Sequence, residues 1–282
     1  MKRDNFFNGE AERWPKNFDP KFFEQPISQE NRENINIVSA EANAILEEYG
    51  YEPQSVGADD VLMLSPEGFE SMNGGGRLGA FNAESGKIFI NAKVADSKLR
   101  LALTVAHELF HRGTYPFGQE DRAKTIESLS WLNEAIASLF QKKVFLRLRE
   151  IDFYRDEIDE TQNIEEKYAG FVENEMSKSG YAKDEVFLVR KHSLPGAGGS
   201  FTLELRHFPY LKECRAFQTL LKKIAERGET KQGVESLFMK TVPSGDIGPL
   251  EKKLGDVLGK SFFEKLMAAS DARERDRIIE AL

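Results

Sequence analysis

The sequence predicts an α+β fold, with a small mixed sheet and packed helices in the first half and a mainly α-helical second half. Three observations predict it. Apolar residues recur at helical spacing across 28–49 and again across 97–113. Between those segments, "GRLGAFNAESGKIFINAKV" alternates like two strands joined by a turn. Beyond residue 150 most apolar clusters have a helical period.

Taken in order, residues 1–25 are polar but punctuated by Phe6, Phe7, Trp14, Phe18, Phe22 and Phe23. They read either as an irregular arm pinned to the body by its aromatic rings or as a disordered tail. Ile35, Val38, Ala42, Ile45 and Leu46 line one face of a helix that Gly50 stops. Asp60 to Leu64 is a short strand, and the hairpin turns at Asn82 to Gly86 with Ile88 and Ile90 on one face of its second strand. Asp96 or Ser97 caps the next helix, which is apolar nearly all round and therefore buried. A further helix begins near Thr125 and runs through "IESLSWLNEAIASLFQKKVFLRL". The charged stretch from Arg149 to Glu166 then marks a boundary between a domain over 26–149 and a helical region over 150–282. In that region Phe208 to Ile224, Val234 to Met239, Leu254 to Met267 and Arg273 to Leu282 carry helical periods. Glu185 to Leu205 breaks the pattern with two strands around "SLPGAGGS", which lacks the end of a phosphate loop and reads as a flexible loop or lid.

The chain has 282 residues, a formal charge of −8, and 40% hydrophobic residues, enough for a substantial core. That mild acidic excess argues against a general nucleic-acid or acidic-membrane binder. Cys214 is the only cysteine, so a disulfide framework and a thiolate metal cage are both excluded. The charged opening residues contain no apolar run of signal length, and no stretch nears the roughly 20 residues of a membrane span. The expectation is a cytoplasmic protein, with signal-independent export left open, and the oligomeric state is not readable.

The chemistry centres on "HELFH" at 107–111. Imidazoles at i and i+4 project from one helix face into a shared volume, where both can ligate one ion. Glu108 leaves the helix about 100° further round, positioned to reach water on the open side of such an ion as a general base. A catalytic zinc needs a third protein ligand, and Glu134 in "WLNEAIASLF" is the candidate: a carboxylate among Trp131, Leu132, Ile136, Leu139 and Phe140 needs a cationic partner. The small Ala135 and Ala137 let its helix approach the histidine helix.

The pair "HELFH" and "NEAIA" resembles the gluzincin clan of zinc metallopeptidases, specifically its compact, minigluzincin-like members. The likeness covers roughly Gly76 to Phe145. It implies a zincin-like catalytic domain in which a small mixed sheet supports an HEXXH helix and a glutamate helix. It further implies one Zn2+ per chain held by His107, His111 and Glu134, with Glu108 as base and later proton donor, and Asn133 matches the residue before the third ligand. Where the related aminopeptidases hold the substrate amine with a glutamate, this chain has Gly79-Ala80-Phe81-Asn82, which favours an endopeptidase. The metzincin extension is absent from "HRGTYPFGQED".

The expected function is therefore hydrolysis of peptide or protein substrates by a zinc-bound water that Glu108 activates. Substrate is expected to extend along Leu78 to Phe81, with Gly79, Ala80 and Phe81 as its main-chain partners. His207 with Tyr210 is the first choice for stabilising the oxyanion, with His192, Tyr154 and Tyr181 as other candidates. Two alternatives stand beside this: a non-catalytic or latent module that grips a protein partner through its helical second half, and a zymogen-like state whose cleft is covered by either end of the chain.

Overall fold

A computed structural model describes residues 19–73, 77–193, 201–269 and 271–282. The fold is α+β, built from two small sheets and mostly helix. In chain order the first half runs β1 (Glu24–Gln25), α1 (Gln29–Glu48), β2 (Val61–Leu64), α2 (Pro66–Asn73), β3 (Gly79–Asn82), β4 (Lys87–Asn91), α3 (Lys98–Thr114), α4 (Glu120–Ser128) and α5 (Ser130–Leu148). The second half adds α6 (Arg155–Lys167), α7 (Ala169–Ser179), β5 (Val186–Ser193), β6 (Phe201–His207), α8 (Leu211–Ala225), α9 (Lys231–Thr241), α10 (Gly248–Leu258), α11 (Lys260–Ala268) and α12 (Ala272–Glu280).

The first sheet has strand order β1-β2-β4-β3 and is mixed: β2 and β4 are parallel, while β1 and β3 run antiparallel to their neighbours. Side chains alternate between its faces as the pleat requires. Val61, Met63, Ile88 and Ile90 enter the main core beneath α1 and α3, whereas Leu64, Ala80 and Phe89 join a smaller cluster with Phe69 and Met72 of α2. Helix α3 is enclosed by α1, α5 and the sheet, which is why it can be apolar around most of its circumference. Its N-terminus is capped by Ser97, whose side chain accepts from Arg100 N. The main core runs without a break from Ile35 to Ile279, across residues 149–150. Among the described residues, no helix is long and apolar enough to cross a membrane.

Several expectations change. The helix expected from Thr125 is two helices, because α4 starts at Glu120 and ends where Leu129 turns wholly into the core. Leu129 N is shared between the carbonyls of Thr125 and Ile126, and the chain restarts as α5 at Ser130. The period over 254–267 is likewise broken at Gly259, whose φ of 96° requires glycine between α10 and α11. The end of the N-terminal arm is ordered: Glu24 and Gln25 pair with Leu64 and Met63, and Phe23 packs on the smaller cluster. Phe22 is no anchor, being 85% exposed, and Phe6, Phe7, Trp14 and Phe18 lie outside the described residues. The "PGAGGS" segment also lies outside them. Helix α2, which no periodicity announces, starts with Pro66 in its first turn and Ser65 Oγ accepting from Gly68 N.

Candidate metal centre

Helix α3 turns His107, Glu108 and His111 toward α5 and β3, and α5 brings Glu134 to meet the two imidazoles. The approach is held by Gln141 of α5, whose Nε2 donates to the Leu103 carbonyl at 2.7 Å, and by the fully buried Ala135 and Ala137. His107 Nε2 stands 3.0 Å from Glu134 Oε2, His111 Nε2 stands 3.4 Å from the same oxygen, and the two Nε2 atoms are 3.2 Å apart. This His-His-Glu group could hold a metal ion. Three donors bound at about 2.1 Å to one tetrahedral centre would be about 3.4 Å apart, so the triangle already has nearly the needed size.

The surrounding polar atoms fit the same occupant. An imidazole that gives its Nε2 lone pair to a cation carries its proton on Nδ1 and needs an acceptor there. Asn133 Nδ2 lies 3.4 Å from His111 Nδ1, while Asn133 Oδ1 is buried with no partner among the described residues. Exchanging the oxygen and nitrogen of that amide, which have the same shape, gives the His111 Nδ1 proton an acceptor, while His107 Nδ1 is buried with no partner among the described residues.

Electrostatics around the group are unbalanced. Burial pushes the Glu134 carboxyl up, but the His111 charge and hydrogen bonds from both imidazoles outweigh it and hold the group below the usual carboxylate range. Burial would lower His111, yet the Glu134 charge raises it. Glu108 is raised, chiefly by its own burial, with Glu134 adding to the effect and the imidazoles opposing it. Two buried carboxylates thus share two imidazoles, an arrangement that a divalent cation would relieve.

Tyr210 closes one side. Its ring stacks on His107 with centroids 5.5 Å apart and planes 16° from parallel, and its hydroxyl bonds to Glu134. Burial, followed by the charges of Glu134 and Glu108, raises its pKa well above that of a free phenol. Tyr210 has φ 54°, the sole non-glycine residue with positive φ among those described, a conformation that costs about 1–3 kcal/mol. The preceding Pro209 carbonyl accepts from Ser138 Oγ of α5 at 3.1 Å, which ties this turn to the glutamate helix. His207 is not brought to the group. Its Nδ1 donates to the Phe208 carbonyl at 2.7 Å and its ring lies on Tyr181. His192 pairs with Glu204 on the β5–β6 hairpin, and the buried Tyr154 donates to Asn34 Oδ1.

Strand β3 forms the other wall, and among the described residues it pairs only with β4. Asn91 N donates to the Leu78 carbonyl, and Gly79 lies opposite Ile90. In an antiparallel ladder bonded pairs alternate, so Ala80 and Asn82 bond to β4 while the N–H and C=O of Gly79 and Phe81 point to the open edge. Of the three expected substrate partners, Ala80 is therefore the one whose backbone is already used.

Sequence reasoning did not single out Arg77, whose charge acts on both Glu108 and Tyr210, or Thr104, one turn before Glu108 on the same face. Helical spacing could have found Thr104. It also passed over the aromatic group of Phe81, Tyr115 and half-exposed Phe117 beside the strand, with centroids 5.1–6.1 Å apart. No protein-family model, curated protein or solved structure matches this chain.

Proposed function

We propose that this chain is a zinc-dependent metallopeptidase, an endopeptidase of zincin-like architecture in which Glu108 is the general base. The observation that carries the reading is the convergence of His107, His111 and Glu134 beside an open strand edge, with a fourth titratable group, Glu108, set between triad and strand. Two imidazoles and one carboxylate are a donor set suited to catalytic zinc, and the order of hairpin, HEXXH helix and glutamate helix is similar to that of gluzincins.

When bound, zinc would supply Lewis acidity, polarising a carbonyl and bringing the pKa of water down to about 7. Glu108 would then accept the proton of the attacking water and deliver it to the departing amine, a role that its place between the triad and the strand favours. Tyr210, whose hydroxyl is bonded to Glu134 in this structure, would turn its hydrogen to the oxyanion as charge develops. The outward N–H and C=O groups of Gly79 and Phe81 align an extended peptide without reading its sequence. A partner-binding module would have no use for Glu108 in this place.

The test is metal analysis together with cleavage of unstructured protein, for wild type and Glu108→Gln. Expected are about one zinc per chain in both and a loss of about 10²- to 10⁴-fold in kcat for the variant. A zinc-loaded wild type that cleaves nothing, or a variant as fast as wild type, rejects the proposal.

A further inference from the structure

We infer that Gly79 is a positioning residue for Glu108: the bare α-carbon of strand β3 is the wall against which the carboxylate arm rests. A Cβ at this position would stand 2.7 Å from Glu108 Oε1, 2.8 Å from Glu108 Cγ and 3.0 Å from Thr104 Cγ2. Carbon atoms in good contact stand about 3.5–4.0 Å apart, so even alanine overlaps the arm along its length. Gly79 is not among the positive-φ glycines, so the backbone itself would accept any residue. Close approach, not conformational freedom, is what demands glycine here.

Neither neighbour can yield cheaply. The Thr104 hydroxyl donates to the Arg100 carbonyl at 2.8 Å, which fixes its methyl toward the strand. Glu108 is only 7% exposed, so its arm is enclosed by its neighbours. A methyl at 79 must push the carboxylate arm away from the strand. Gly79 also offers its outward N–H and C=O to the edge, so the residue that aligns a bound peptide also sets the place of the base.

The kinetic consequence rests on the peptidase reading, but the contact itself does not, and the experiment separates them. Thermal unfolding is measured for wild type, Gly79→Ala, Glu108→Ala and the double variant of the full chain, along with zinc content, kcat and KM on unstructured protein. Gly79→Ala should lower Tm by about 2–4 °C in wild type and by less than half of that once the Glu108 arm is gone. It should keep its zinc, lose about 100-fold in kcat and hold KM within about twofold. Additive Tm changes, loss of zinc from Gly79→Ala, or a rise in KM with kcat intact would each overturn the inference. Non-additive Tm changes in a protein that cleaves nothing would uphold the positioning contact and reject the peptidase reading.

Discussion

Helix α3 carries a cluster of charge at each end, and the two are assembled differently. At its N-terminus, Arg206 grips Asp96 through two hydrogen bonds of 3.0 and 2.6 Å and reaches Glu204 at 2.9 Å. Glu157 of α6 accepts from Ser97 Oγ and from the amides of Lys98 and Leu99, and Arg190 meets it at 2.7 Å. Guanidinium groups and the positive end of the helix dipole face the carboxylates there, so the chain neutralises itself. Toward the other end, Glu108 and Glu134 meet two imidazoles and each other, with the Arg77 charge as a weaker opposing influence. A cluster that closes on its own partners is architecture. One that the chain leaves short of positive charge is suited to take a cation from outside.

The largest effect should come from removing the carboxylate that both imidazoles share. Glu134→Ala should abolish stoichiometric metal binding, and with it the stabilisation expected of wild type in saturating zinc, about 4 kcal/mol or about 10 °C in Tm at a thousandfold excess over Kd. Calorimetry with and without zinc checks this. A Tm indifferent to zinc in wild type would erase the contrast between the two ends of α3.

At the N-terminal end, Glu157→Ala should cost about 2–3 kcal/mol by stranding the helix amides and leaving Arg190 with Asp96 alone of its two carboxylates. Its zinc stoichiometry should remain that of wild type. Denaturant unfolding and metal analysis on the same sample give both numbers, and a variant that loses its zinc would show that the ends are coupled.

The smallest effect concerns acid. Burial would raise Asp96 and Glu204, but Arg206 and neighbouring cations hold both below their ordinary values. A group depressed in the fold contributes stability that is present above its unfolded pKa and lost as pH falls through the folded value. With unfolded values of about 3.9 and 4.3, Tm of metal-free protein should be level near neutrality and decline below about pH 4 from these two groups. Arg206→Leu should make that decline shallower, and an unchanged slope would remove the network from the account. Both carboxylates are partly exposed, so the contribution is modest.

Much of this architecture is legible along the chain. The period of Ile35, Val38, Ala42 and Ile45 announces α1, and the Asn82–Gly86 turn announces the hairpin. The choice between Asp96 and Ser97 as cap is settled by which side chain reaches the Arg100 amide. Less legible is the break at Leu129, because a buried leucine suits a continuing helix and a corner equally well. The split at Gly259 was announced only by a glycine that other helices tolerate.

What the sequence determined by itself is local: helical and strand periods, caps, and the spacing that puts His107 and His111 on one face with Glu108 beside them. These follow from the 3.6- and 2-residue repeats, which need no knowledge of the rest of the chain. Tertiary structure alone decided that Glu134 meets both imidazoles, that Tyr210 rather than His207 stacks on His107, and that Gly79 bears on Glu108. Each of those contacts joins separate elements, and their distances are set by how α3, α5, β3 and the turn before α8 pack together. No local period encodes that packing.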